Sequence, residues 1–206
     1  LATLISMVVH HAIVALNLTL ILLWFLAAWG MYLLGKKIWN ESMAGFLSSL
    51  VYIFSPYYIQ DIYIRGAYAE FAAFSFFPWI IYLMLLVNEE ALMKRVFSCI
   101  LVMAAAILTH FLCILFIGVS LIYIIINNWI KKNHQASLIT VGMVIIAFML
   151  TCFFWLPAGW DVRFLNTNFI ISMRYDFHKN FITLAQMFPA PWQINNVVFE
   201  NVSLEL

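Results

Sequence analysis

From residue 96 to residue 130 the chain carries no Asp, Glu, Lys or Arg. As one helix this run would extend roughly 52 Å, at about 1.5 Å per residue. Crossing roughly 30 Å of hydrocarbon takes only about 20 residues. The run is bounded by basic pairs, Lys94-Arg95 before it and Lys131-Lys132 after it. Lys and Arg mark cytoplasmic loops, so both ends belong on one side and the run must fold back on itself. Two short helices meeting near Thr109-His110 do this. A third basic pair, Lys36-Lys37, ends another apolar run. Composition agrees: 66% of residues are hydrophobic and 9% charged, against about 45–50% and about 25% in soluble domains. So little polar surface excludes a water-soluble globule, and such apolar mass excludes disorder. A net charge of +1 gives no basic field for nucleic acid. The expected fold class is all-α, a polytopic transmembrane helical bundle set in a lipid bilayer.

Placing the three basic pairs inside fixes a layout. Residues 1–9 form the outer end of a cut helix, and His10-His11 turn at the outer side. Residues 12–35 cross inward, 42–59 cross outward to Ser55-Pro56, and 56–70 make an outer or re-entrant segment. Residues 69–87 return inward with Pro78 inside the helix, whose lost backbone bond neighbours must satisfy. After the hairpin over 96–130, residues 136–157 cross outward. Six of the ten basic residues fall in the short inner loops. The expected organisation is a transmembrane domain over 1–157, with about six crossings plus the cut helix. Residues 158–206 form an outer-face loop or the start of an extracytoplasmic region. The expected location is the cell inner (plasma) membrane. The chain opens Leu-Ala-Thr inside an apolar run with no basic flank. It reads as an N-terminally truncated fragment with no signal peptide of its own.

The stretch Asp61-Ile-Tyr-Ile-Arg65-Gly-Ala-Tyr-Ala-Glu70 carries three charges between two apolar helices. Charges at membrane depth cost about 2.5–3.5 kcal/mol each on insertion scales, so they are paired or functional. Asp61 and Arg65 are spaced i, i+4 and pair if the piece is helical. Glu70 falls in the first turn of the next helix, where the dipole favours a carboxylate. One reading is an anion-binding Arg65 suited to phosphate, beside carboxylates that take sugar hydroxyls or a divalent metal. The other is an Asp–Arg clasp that pins a loop. His110, at the apex of the hairpin, is either functional or a neutral His bonded across helices. His10-His11 are interfacial polar residues or, less readily, metal ligands. Asp161 and Arg163 follow Trp160, where they cap or line an outer cavity. Tyr175-Asp-Phe-His-Lys-Asn180 forms a solvated loop or reaches toward a soluble substrate. Asn201-Val-Ser203 is a sequon. Cys99, Cys113 and Cys152 sit in apolar runs as small hydrophobes. The sequence contains neither a P-loop nor a GxGxxG motif.

In order along the chain come Gly30-Met-Tyr-Leu-Leu-Gly35, Phe54-Ser-Pro-Tyr-Tyr58, Asp61-x-Tyr-x-Arg65-Gly-Ala-x-Ala-Glu70 and Thr109-His110. Phe153-Phe-Trp-Leu-Pro157, Tyr175-Asp-Phe-x-x-Asn-Phe181 and Ala190-Pro-Trp192 follow. This pattern resembles the bacterial multi-pass membrane proteins labelled 6-pyruvoyl-tetrahydropterin synthase-related, which are similar to the GT-C membrane glycosyltransferases. The label does not imply pterin chemistry, because a soluble pterin synthase is a zinc enzyme with clustered histidines and this chain offers no such cluster. The resemblance implies sugar transfer from a polyprenyl-phosphate-linked donor at the outer face, for envelope glycans. It implies an acidic general base in a first outer loop, expected upstream of Leu1. Arg65 corresponds by position to donor-phosphate recognition, Asp61 and Glu70 to acceptor or metal binding, and His110 to the same substrate site. No cofactor is required outright, with a divalent metal the one candidate. The alternatives are a lipid-glycan transporter or flippase component without bond chemistry, and a structural membrane subunit.

Overall fold

The computed structural model describes residues 2–164. Among them the chain forms helices α1 (Ala2–Val9), α2 (Ala12–Trp39), α3 (Ser42–Ile53), α4 (Pro56–Tyr63) and α5 (Tyr68–Glu89). These are followed by α6 (Met93–Thr109), α7 (Cys113–Ile130), α8 (His134–Leu150) and α9 (Cys152–Asp161), then a 3-10 turn over Val162–Phe164. The fold is an all-α polytopic bundle. Helices α2, α5 and α7 are each long and apolar enough to cross a membrane, and α8 with its continuation make a fourth if the bent pair is one span. The chain divides into two compact units, Leu1–Pro157 and Ala158–Leu206.

Exposed faces carry large apolar residues, such as Ile21, Phe25 and Trp29 on α2 and Leu115, Val119 and Ile122 on α7. A soluble monomer rarely exposes such continuous apolar surface; here it faces acyl chains. Inside, Ile80, Met84, Cys99, Met103, Ile117, Ile124 and Met143 form the core shared by α5, α6, α7 and α8. A smaller core joins Leu23, Ala27, Tyr58 and Phe71.

Helix association in lipid depends on close packing and interhelical hydrogen bonds, because the surroundings are as apolar as the side chains. Helix α2 meets α5 where Gly30 makes room for Trp79: a Cβ on Gly30 would fall 2.5 Å from the indole nitrogen. That nitrogen donates across the interface to the Leu26 carbonyl at 2.8 Å. Helix α2 meets α3 through Gly35 and Gly45, and a Cβ on Gly45 would fall 2.6 Å from the Tyr32 carbonyl oxygen. Helix α2 ends at Asn40 in the left-handed conformation (φ 54°), with Lys36 and Lys37 in its last turn favoured by the dipole.

Pro78 lies buried inside α5. It has no N–H to give the Phe74 carbonyl four residues earlier. The Tyr52 hydroxyl of α3 donates to that carbonyl instead, at 2.8 Å. Thr19, Ser120 and Thr140 satisfy their own hydroxyls on the carbonyl four residues back.

The hairpin over 96–130 breaks where the sequence places it. Helix α6 ends at Thr109, and His110 is extended (φ −157°, ψ 128°). Two expected crossings are broken instead. Residues 42–59 are not one helix: α3 stops at Ile53, and at twelve residues it reaches only about 18 Å. Pro56 disfavours the helical region for Ser55, which is extended (ψ 139°), and starts α4 at its own first position. Residues 136–157 are likewise interrupted at Thr151. Its hydroxyl bonds back to the Ala147 and Phe148 carbonyls, each at 3.1 Å, a pattern that bends helices. Trp155 stacks on Phe148 at 4.2 Å and donates to the Phe148 carbonyl.

Candidate functional site

The site is built on the turn between α4 and α5. The backbone closes it locally: Arg65 N–H donates to the Gln60 carbonyl and Ala67 N–H to the Asp61 carbonyl, both at 2.8 Å. Between them Gly66 takes φ +61° with open space around it, a conformation that costs glycine little. This turn brings Asp61, near the end of α4, and Glu70, in the first turn of α5, to one side of Arg65.

Arg65 is the hub. Its Nη1 donates to Asp61 Oδ1 at 2.8 Å and to the Tyr57 hydroxyl at 2.9 Å. Its Nη2 donates to Glu70 Oε2 at 3.0 Å. The Tyr57 hydroxyl in turn donates to Glu70 Oε1. The guanidinium carbon stands 5.4 Å from the Tyr57 ring centroid. Asp61 is fully buried and Glu70 is 7% exposed, while the Arg65 side chain is 45% exposed. The second Asp61 oxygen is buried with no hydrogen-bond partner among the described residues.

Glu70 opens into a cavity of about 540 Å³. Tyr52, Tyr57, Tyr58, Phe74, Leu115 and Phe116 are among its walls. Phe74 meets the Tyr57 ring at 5.6 Å and the Phe116 ring at 5.2 Å. A second cavity of about 540 Å³ lies further along α5 and α7, and Val119 lines both. His110 lines a small cleft together with Glu70, Cys113 and Phe116, and its Nδ1 accepts the Leu112 N–H at 3.3 Å. The structure therefore gathers Asp61, Arg65 and Glu70 into one cluster and sets His110 against its Glu70 side. Asp161 and Arg163 belong to the second unit, where the Arg163 guanidinium sits 3.6 Å from the Trp160 ring centroid. His10 and His11 are exposed between α1 and α2, and no group of three His, Cys, Asp or Glu able to hold a metal occurs among the described residues. The Tyr175–Asn180 cluster and the sequon at Asn201 lie outside the described residues.

Tyr57 is the residue that sequence reasoning missed. Its place beside Tyr58 at a helix end matches an interfacial aromatic, which also fits the pattern of membrane belts. The signal was its spacing: Tyr57 precedes Asp61 by four residues and Asp61 precedes Arg65 by four, so Tyr57 and Asp61 share one face of α4 and Arg65 follows just past its end.

A family model described as 6-pyruvoyl-tetrahydropterin synthase related domain, a membrane protein, matches residues 1–194. No curated protein and no solved structure matches the chain.

Proposed function

The chain belongs to the 6-pyruvoyl-tetrahydropterin synthase-related family of membrane proteins, and from that premise we propose a GT-C-like glycosyltransferase that uses a polyprenyl-phosphate-linked sugar for envelope glycans. One observation carries the reading. A half-exposed arginine, braced by two buried carboxylates, adjoins an aromatic cavity into which one of those carboxylates opens.

The three bonds made by Arg65 use three of its five N–H donors. The remaining two suit a phosphate, which guanidinium binds by charge-assisted bonds. Aromatic walls suit a sugar ring or prenyl chain, and Glu70 in the wall suits sugar or acceptor hydroxyls. In the reaction, a base takes the proton of the acceptor hydroxyl. The hydroxyl oxygen bonds to the anomeric carbon, and the bond from that carbon to the phosphate oxygen breaks. Its electron pair leaves on the polyprenyl phosphate, whose charge Arg65 stabilises. Asp61 and Glu70 hold donor and acceptor in this reading, and the base is the separate acidic group that the resemblance implies.

The test is transfer of labelled sugar from a polyprenyl-phosphate donor by the protein in vesicles. Arg65→Ala should lower transfer by about 100-fold or more while the protein remains folded in the membrane. Absence of transfer by the wild-type protein, or full transfer by the variant, overturns the reading. A second reading, movement of a lipid-linked glycan without bond chemistry, is favoured by the meeting of the two cavities at Val119. It requires glycan to change leaflets with the sugar–phosphate bond intact.

A further inference from the structure

The second cavity lies at the opposite end of α5 from Glu70. Here Lys37 of α2, Asn88 and Glu89 of α5, and Asn127 and Lys131 beside the end of α7 surround a space of about 540 Å³. Its other walls include the apolar Phe77, Ile81, Leu85 and Ile124. The lining is therefore polar toward the ends of α2, α5 and α7 and apolar further back along α5 and α7.

We propose that this cavity binds one anionic glycerophospholipid of the surrounding membrane, headgroup at the lysines and an acyl chain against α5 and α7. Two observations support that occupant. The charged wall residues are Lys37, Lys131 and Glu89, and because Lys37 is bonded to Glu89 they leave one net positive charge, centred on Lys131. The apolar walls continue toward Val119, so a ligand that is only a phosphate would leave most of the space unused. Charge and shape together select a lipid with an anionic phosphate headgroup.

The site is independent of the proposed transfer reaction and is tested without it. The full-length protein is placed in nanodiscs of phosphatidylcholine with a minor fraction of phosphatidylglycerol, then released into mild detergent for native mass spectrometry. The wild type should retain one phosphatidylglycerol in preference to phosphatidylcholine. Lys131 is exposed, so its replacement does not threaten the fold. Lys131→Ala should weaken retention about tenfold, as expected for loss of a bond to a charged group, and Lys131→Arg should preserve it. Lys94→Ala removes the same charge away from the cavity and should leave retention unchanged. Leu85→Trp, which fills the apolar part, should abolish it with every charge in place. Equal loss from Lys94→Ala overturns the proposal in favour of a diffuse basic surface. Insensitivity to Leu85→Trp, or displacement by inorganic phosphate alone, overturns the assignment to a lipid. Equal retention of phosphatidylcholine overturns the charge argument.

Discussion

Asp61 holds one oxygen on Arg65 at 2.8 Å and the other in a buried position with no partner among the described residues. That carboxylate anchors the cluster through Arg65. Asp61→Ala removes the acceptor and leaves the Arg65 guanidinium one partner short, so it should lower stability by about 1–3 kcal/mol. Asp61→Asn can still accept from Arg65 and should cost less. Thermal unfolding in detergent compares them, and an Asp61→Ala variant as stable as the wild type would mean that the bond to Arg65 contributes nothing. Much of this cluster was legible in the sequence, because Asp61, Arg65 and Glu70 are close in the chain and helical spacing alone aligns the first two. The position of His110 beside Glu70 was not, because it depends on how α7 packs against α5. The same holds for Tyr52 and Phe74, whose bond exists because Pro78 leaves a carbonyl without its donor.

Helix ends were readable wherever charge or backbone chemistry marked them. The apex at His110 follows from basic residues at both ends of one apolar run, and the end of α2 from Lys36-Lys37. The break after Ile53 falls two residues before Ser55-Pro56, where the sequence ends that crossing. The break at Thr151 lies within an apolar stretch, so hydropathy does not register it. Helix contacts were hidden for a related reason: sequence shows that Gly45 is small but not what lies opposite. The structure distinguishes glycines that make an interface from those that do not. Gly45 faces the Tyr32 backbone, which cannot swing aside, whereas Gly142 in α8 has nothing within 4 Å of a Cβ. Gly45→Ala should therefore push α3 off α2 and cost about 1–3 kcal/mol, as overpacking does. Gly142→Ala should be neutral or stabilise by up to about 1 kcal/mol through helix propensity. Thermal unfolding in one detergent compares them, and equal effects would show that the α2–α3 approach is not tight.

At the scale of the molecule, the basic-end cavity constrains the path of the chain. Lys37 near the end of α2, Glu89 at the end of α5 and Lys131 just after α7 line the same space, so the three long helices finish at one face. Glu70 at the start of α5 and Leu112 just before α7 line the other cavity. Three spans pointing the same way require the chain to return between them. Helix α6, at seventeen residues, reaches about 26 Å and nearly spans the hydrocarbon unaided. Between α2 and α5 the return falls to α3 and α4 together, because α3 is too short to cross alone. The bend at Ser55 then lies along that return path, where non-helical backbone is tolerated at membrane depth only if protein covers it. Single cysteines at Lys94 and Lys132, in an otherwise cysteine-free protein, should react with a membrane-impermeant maleimide from one side of sealed vesicles. A cysteine at Phe111, between α6 and α7 and exposed, should react only from the other. By the positive-inside rule, the lysine positions should be the cytoplasmic ones. Labelling of all three from one side would mean that α6 does not cross, and the cluster at Arg65 would then share a face with the basic cavity instead of opposing it.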